Sequence, residues 1–272
     1  FPNSPQFSLA TFNLIYNTLY TLVLLVFLDP LVRLVTRTIK DKDQELEELS
    51  YIDERFLQTP SVAIEQALKE LYDMAILARE NIDRAFASLV NEDMSESQKI
   101  ADVEYRIDFL TNKLTGFFIK ISSVNKNADD EALIGGLHHV TNDIERLGDY
   151  AILLVKETNY MKKNDIEFLD QTKEELNQIY ENITKTFDLG FDAFAHRKTE
   201  NFREIARLHR DIKKQISSSR NAHVERLNSE LYPVDVSKSI YSVLFSLQRI
   251  SDHTVNVAFS IRSTTGSKTE AL

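Results

Sequence analysis

The sequence predicts an all-α protein in which one transmembrane helix is followed by two three-helix bundles in tandem. Only six Gly and five Pro occur in 272 residues, so the turn residues that separate strands in sheet proteins are scarce. Long segments instead repeat apolar residues in steps of three and four, which is the spacing of one buried helix face. An uncharged run from Phe7 to Leu28 precedes these segments.

Composition excludes several functional classes. The formal net charge is −10 and the pI is about 5.2, which argues against a general nucleic-acid binder. The chain contains no Cys, so disulfides, thiolate zinc sites and cysteine nucleophiles are excluded. No nucleophile triad, phosphate-binding glycine loop or coenzyme fingerprint is present, and we expect no catalysis.

The uncharged run is long enough to cross a bilayer. It has 22 residues, and as a helix it would be about 33 Å long. A buried core helix is the alternative, whereas a signal peptide does not fit, since a basic start and a small-residue cleavage site are missing. Arg33, Arg37 and Lys40 follow the run. We therefore expect the protein in the cell membrane, and by the positive-inside rule we expect the residues after about 40 in the cytoplasm.

Six further helices are expected. Thr59 can cap a helix that has Pro60 in its first turn. Breaks near residues 91–97, 125–130 and 163–165, between about Ala195 and Thr199, and at Tyr232–Pro233 separate the six apolar stripes. The segment Ile144–Ala151 aligns with Leu247–Thr254 at an offset of 103 residues, which indicates two similar three-helix units. The predicted domains are a final transmembrane helix of a transporter domain (1–40), a linker (41–59), a first repeat (60–162), a second repeat (163–264) and a tail (265–272).

Two pairs of acidic residues lie at helical spacing. Within each pair the residues are four apart, so they share one helix face. If the two helices pack side by side, four carboxylates converge, and oxygen-rich clusters suit Mg, Mn, Fe or Zn. Arg106 and Arg146 offer an ordinary salt-bridged surface as the alternative. The candidate metal ligands are Glu104, Asp108, Glu145 and Asp149.

The motif Glu145–Ala151 (Glu-Arg-Leu-Gly-Asp-Tyr-Ala), late in a third helix and followed by a second repeat, resembles the PhoU family. The segment Tyr51–Ala63 resembles the junction after the transporter part of bacterial sodium/phosphate cotransporter-related proteins (NptA/PNaS type). Ala10–Leu14 resembles the start of the last membrane helix in those proteins. The resemblance implies a PhoU-like tandem of two three-helix bundles, and acidic motifs that can hold metal clusters.

The resemblance also implies a function. We expect a cytoplasmic PhoU-like regulatory domain of a sodium-dependent inorganic phosphate transporter, which senses or gates phosphate transport. Sodium and inorganic phosphate would be partners through a transport domain that is missing from this sequence. The membrane is a further expected partner, nucleic acid is not, and a homo-oligomer is left open. Iron, zinc, manganese or magnesium would bind at the acidic cluster of the first repeat.

The second repeat departs from the family pattern. Gln248 replaces an expected acid, and His209 and Lys213 stand where the other acidic pair should be. Because a lysine replaces a donor oxygen with a cation, Asp252 and His209 are only weaker metal candidates. We expect this repeat to bind no metal.

Two alternatives remain beside this interpretation. One is a stand-alone PhoU-like phosphate-signalling regulator that binds a transporter or a histidine kinase, which the uncharged run argues against. The other is a di-metal carboxylate enzyme, which typically needs Glu-x-x-His on two helices. None of the six histidines has a Glu three residues before it. The neighbouring His138 and His139 point about 100° apart on a helix, so a surface role is expected for them.

Overall fold

The computed structural model describes residues 5–38, 49–124, 127–196, 198–229 and 236–260. Every regular element in these ranges is helical, as predicted. A short 3₁₀ helix, Glu54–Gln58, precedes the second α-helix. The α-helices are α1 (Pro5–Thr38), α2 (Pro60–Asn91), α3 (Ser97–Val124), α4 (Ala128–Lys163), α5 (Asp170–His196), α6 (Phe202–Asn228) and α7 (Val236–Phe259).

Parts of four sequence predictions lie outside the described residues. These are Lys40 of the basic cluster, most of the predicted linker, the break at Tyr232–Pro233, and the tail from 265 to 272.

The chain divides into two compact units, Phe1–Glu48 and Leu49–Leu272. The first contains α1, whose segment Phe7–Leu25 is long and apolar enough to cross a membrane and is not buried in the structure. Its three threonine hydroxyls in this segment are satisfied within the helix. The hydroxyls of Thr11, Thr18 and Thr21 each donate to the carbonyl four residues earlier, at 2.8 Å. Such internal bonds let hydroxyl groups face an apolar medium without another partner.

The second unit contains the six predicted helices as two antiparallel bundles, α2–α3–α4 and α5–α6–α7. Some helix starts differ from the prediction. Thr59 makes no side-chain capping bond, although Pro60 does occupy the first turn of α2. The fourth predicted helix was expected to begin after the 163–165 break, but α5 begins at Asp170. Residues 166–169 form a non-helical segment in which Ile166 and Phe168 are buried.

The two bundles share one hydrophobic core. Helices α2 and α4 pack against α5 and α7, whereas α3 and α6 each pack within their own bundle. At the α2–α5 contact the rings of Phe86 and Tyr180 stack with centroids 3.9 Å apart. The Tyr180 hydroxyl donates to Asp83 at 2.5 Å. Burial, helped by the Asp83 charge, raises the pKa of Tyr180, so the hydroxyl stays a donor.

The segment before α2 is attached to the first bundle. The backbone N–H of Tyr51 donates to Glu70 of α2 at 2.9 Å. In the 3₁₀ helix, Glu54 pairs with Lys120 of α3, and Phe56 and Leu57 pack against the core. This segment therefore contacts two helices of the first repeat.

Candidate functional site

The four predicted carboxylates lie at the contact between α3 and α4. Glu104 and Asp108 are on α3, and Glu145 and Asp149 are on α4. Each pair sits beside a buried apolar stripe, because Ile107 and Ile144 are fully buried. The helices pack along these stripes, so the acidic residues next to them face the same seam.

Glu104 is the innermost of the four. Its exposed fraction is only 9%, and its Oε2 atom has no hydrogen-bond partner among the described residues. Burial, followed by the charges of Asp108, Asp149 and Glu145, raises the pKa of Glu104 to about 8. A buried carboxylate that lacks a donor is costly in its charged form, so a proton or a cation stabilises this position.

The carboxylates around Glu104 also influence one another's ionisation. Burial raises the pKa of Asp108, and the Asp149 charge raises it further. Burial also raises the pKa of Glu145, with a contribution from Asp149, while Arg146 and His253 partly oppose the shift. Joint ionisation of these groups is therefore disfavoured.

Arg146 supplies part of the salt-bridged alternative. Its Nη1 lies 2.8 Å from Asp149 Oδ2, and its Nε lies 3.5 Å from Glu145 Oε2. These contacts are at the more exposed edge of the seam. In the described ranges, no three His, Asp or Glu side chains are arranged to hold a metal ion. The predicted acids are thus neighbours, and metal binding by them remains a prediction.

Gly148 allows Glu104 to lie where it does. A Cβ atom at Gly148 would be 3.0 Å from Glu104 Cδ, closer still to Oε2, and 3.1 Å from Ile107 Cδ1. The missing side chain therefore makes the space for the buried carboxylate. The alignment of the two repeats gave no role to this glycine, although it lies within the Glu-Arg-Leu-Gly-Asp motif.

The equivalent seam of the second repeat holds a cation of its own. Asp252 on α7 lies 3.4 Å from Lys213 Nζ and 3.3 Å from His209 Nε2, both on α6. Gln248 accepts from Arg220 at 3.3 Å. Burial, followed by the Lys213 charge, lowers the pKa of His209. The structure therefore brings the aligned residues together and gives them a balanced charge.

One polar contact between the repeats was missed. Asp143 of α4 accepts hydrogen bonds from His253 and Asn256 of α7, at 2.7 Å and 3.1 Å. The ring of Tyr150 lies 5.8 Å from that of His253. At an offset of 103, Tyr150 and His253 occupy equivalent positions in the two repeats. This equivalence was the signal in the sequence that could have located the contact.

Two glycines of α4 provide a matched test of the Gly148 packing. Nothing lies within 4 Å of a Cβ built on Gly135. Gly135→Ala should therefore raise the free energy of unfolding by about 0.5–1 kcal/mol through helix propensity alone. Gly148→Ala makes the same gain but displaces Glu104 and Ile107, so we expect a net loss of about 1 kcal/mol. Urea unfolding of the two variants measures the difference, and equal gains would contradict the close packing.

The raised pKa of Glu104 predicts a dependence of stability on pH. Between the unfolded pKa of 4.5 and the folded value of about 8, the native state holds a proton that the unfolded chain releases. The free energy of unfolding should therefore fall as pH rises through this range. Glu104→Gln should reduce this slope to the smaller part that comes from Asp108 and Glu145, and it should be about 2 kcal/mol more stable than the parent at pH 8, with chelator present.

The measurement is urea unfolding at pH 4.5 and at pH 8. The exposed Glu181→Gln on α5 is the control, and it should follow the parent at both values. If the free energy of unfolding changed equally between the two pH values for Glu104→Gln and for the parent, Glu104 would ionise as easily as a surface acid.

Comparison with known proteins agrees with this architecture. The PhoU domain matches residues 71–158 and 176–261, once in each repeat. The putative inorganic phosphate export protein YjbB of Escherichia coli (strain K12) is 20% identical over 255 residues, which cover 92% of this chain and 47% of that protein. The protein of the same name from Shigella flexneri matches equally. The chain thus spans about half the length of these curated relatives.

Two solved structures share the fold. One is the crystal structure of PhoU from Pseudomonas aeruginosa, whose sequence is 18% identical to this chain. The superposition has a TM-score of 0.68 and covers 75% of this chain and 96% of that one. The phosphate transport system regulatory protein PhoU from Streptococcus pneumoniae is 14% identical, with a TM-score of 0.69 over 78% and 100%. With the two matched segments covering most of its length, the chain belongs to the PhoU domain family.

Proposed function

We propose that this chain is the cytoplasmic regulatory part of a membrane phosphate transporter, with α1 as a membrane span. The observation that carries the proposal is that an apolar helix and a PhoU domain lie in one continuous chain. The relative named as a putative inorganic phosphate export protein matches over 92% of this chain. Its name supports phosphate as the transported ion, and sodium coupling rests on the resemblance of Tyr51–Ala63 described above.

In this proposal the helical repeats sense or gate transport and do not catalyse a reaction. The domain limits are those predicted from the sequence, with the first repeat at 60–162 and the second at 163–264. Sodium and phosphate pass through a part of the protein outside this sequence. Within the second unit, the 3₁₀ segment contacts both α2 and α3 of the first repeat.

A stand-alone regulator is the second candidate. The PhoU structures from P. aeruginosa and S. pneumoniae are covered over 96% and 100% of their lengths. This coverage favours a regulator that needs no membrane span and binds a transporter or a histidine kinase as a separate protein. The two candidates differ in whether α1 holds the chain in a membrane.

We further propose that the seam between α3 and α4 binds iron, zinc, manganese or magnesium. The chemistry of the donor set suits such an ion, because the set consists of carboxylates and includes the buried Oε2 of Glu104, which has no hydrogen-bond partner among the described residues. When bound, the ion would neutralise the charges that raise the pKa values of Glu104, Asp108 and Glu145. Asp149 completes the set, and the four side chains would then join α3 to α4.

Membrane anchoring by α1 is tested with the intact chain expressed in bacterial cells. We expect it to remain in the membrane pellet after a carbonate wash, because an apolar helix resists extraction. A reporter fused after Leu272 should be inaccessible from outside the cells, since Arg33, Arg37 and Lys40 favour the cytoplasmic side. A variant lacking residues 1–48 is the control and should be released. Release of the intact chain by carbonate would favour the stand-alone regulator.

Metal binding is tested by loss and by gain. After dialysis against Fe, Mn or Zn, the parent should hold stoichiometric metal. It should also melt at a higher temperature than the metal-free protein, because a ligand that binds only the native state stabilises it. The double variant Glu145→Ala/Asp149→Ala should lose both effects. The triple variant His209→Glu/Lys213→Asp/Gln248→Glu gives the second repeat the acidic set of the first, and we expect it to gain a further bound ion.

The parent second repeat is the internal control, because Lys213 already pairs with Asp252. Elemental analysis counts the metal, and calorimetry records the melting temperature. If the parent holds no stoichiometric metal and its melting temperature does not respond, the first seam is an ordinary salt-bridged surface.

A further inference from the structure

The outer face of α7 carries two exposed aromatic residues between two cations. Lys238, Tyr241, Phe245 and Arg249 follow one another in steps of three and four, so they form one stripe about 16 Å long. Tyr241 is 40% exposed and Phe245 is 48% exposed. The Arg249 guanidinium lies 5.3 Å from the centroid of the Phe245 ring, and Lys238 lies 4.0 Å from that of Tyr160.

Helix α6 extends this stripe. Val224 is 44% exposed, and Arg220 is held beside α7 by its bond to Gln248. The ring of Tyr241 meets the neighbouring His223 edge-on, with centroids 5.6 Å apart. We call this surface the α6–α7 face, and it consists of Arg220, Val224, Lys238, Tyr241, Phe245 and Arg249.

The charge of this face is opposite to that of the chain. It contains three cations and no acid, while the formal net charge of the protein is −10. The adjacent Asp252 is already paired with Lys213 and His209. Helix α6 as a whole carries seven Lys or Arg and three Asp or Glu. The face is therefore suited to a negatively charged partner.

We propose that the α6–α7 face binds the surface of an anionic phospholipid bilayer. Aromatic rings are favoured at headgroup depth, where one side is apolar and the other is wet. Lys and Arg beside them reach the phosphate groups and are attracted by the negative surface potential. A basic and aromatic surface is typical of proteins that lie on membranes. The inference rests on the proposed function only in that α1 would bring the chain to a bilayer.

The chain contains no Trp, so one substitution creates a unique fluorescent reporter. Phe245→Trp reports on the face, and Ile119→Trp, at a 64% exposed position on α3, is the matched control. The intact chain is placed in nanodiscs of phosphatidylcholine, with or without phosphatidylglycerol. The acyl chains of the phosphatidylcholine are brominated at the end near the headgroup. We expect blue-shifted emission and strong quenching for Phe245→Trp in the anionic discs alone, and neither effect for Ile119→Trp.

The electrostatic contribution is tested in the Phe245→Trp background. Arg220→Gln together with Lys238→Gln should reduce the quenching to about half, since each cation contributes to attraction by the surface. Salt at 1 M, where the Debye length is about 3 Å, should act in the same direction. The control is Lys113→Gln on α3, because Lys113 also lies over an aromatic ring, 5.1 Å from the centroid of Phe109. It should leave the quenching unchanged.

Two results would overturn the inference. One is equal quenching of Phe245→Trp and Ile119→Trp in anionic discs. The other is a blue shift in lipid-free detergent that grows with protein concentration, which would assign the face to a second copy of the chain. Failure to recover the chain in discs would count against α1 as a span. In that case brominated anionic vesicles mixed with the same variants test the face alone.

Discussion

The packing of α4 against α7 determines where the polar features of the second unit lie. These two helices carry the motif of each repeat, and they meet in the middle of a core shared by both bundles. With their apolar stripes turned toward one another, their acidic and basic positions fall on the outer seams, toward α3 on one side and α6 on the other. Tyr150 and His253, which are equivalent in the two repeats, approach across the middle, as equivalent residues do near the axis of a symmetric pair.

The two seams differ in how the negative charge of their carboxylates is balanced. In the second repeat Lys213 provides a permanent positive charge for Asp252. In the first repeat Arg146 reaches only the outer carboxylates, and the inner Glu104 is left to a proton or to an ion from solution. The first seam can therefore change its charge with conditions, while the second has its charge balance fixed by the sequence.

Periodicity predicted six helices and placed the four acids beside buried stripes, because apolar stripes specify which faces are buried. The offset of 103 residues, together with the family resemblance, predicted the grouping into two bundles. Periodicity did not predict that the bundles share a core, since stripes do not identify the partner of each face. The start of α5 was misplaced because Ile166 and Phe168 are apolar and buried but lie outside the helix. The role of Gly148 was also not apparent, since a missing side chain leaves no pattern to read. The contact of Asp143 with His253 depends on how the two repeats pack, and the equivalence of Tyr150 and His253 was its one trace in the sequence.

The attachment of the 3₁₀ helix to both α2 and α3 has a mechanical consequence. A load that enters the second unit at Leu49 reaches α2 through the backbone, because the 3₁₀ helix continues through Thr59 into Pro60. The Tyr51–Glu70 bond adds a second attachment to α2, and the Glu54–Lys120 pair adds one to α3. The helix α3 also bears Glu104. A movement of α3 as a rigid body would therefore displace both the attached segment and the seam of Glu104.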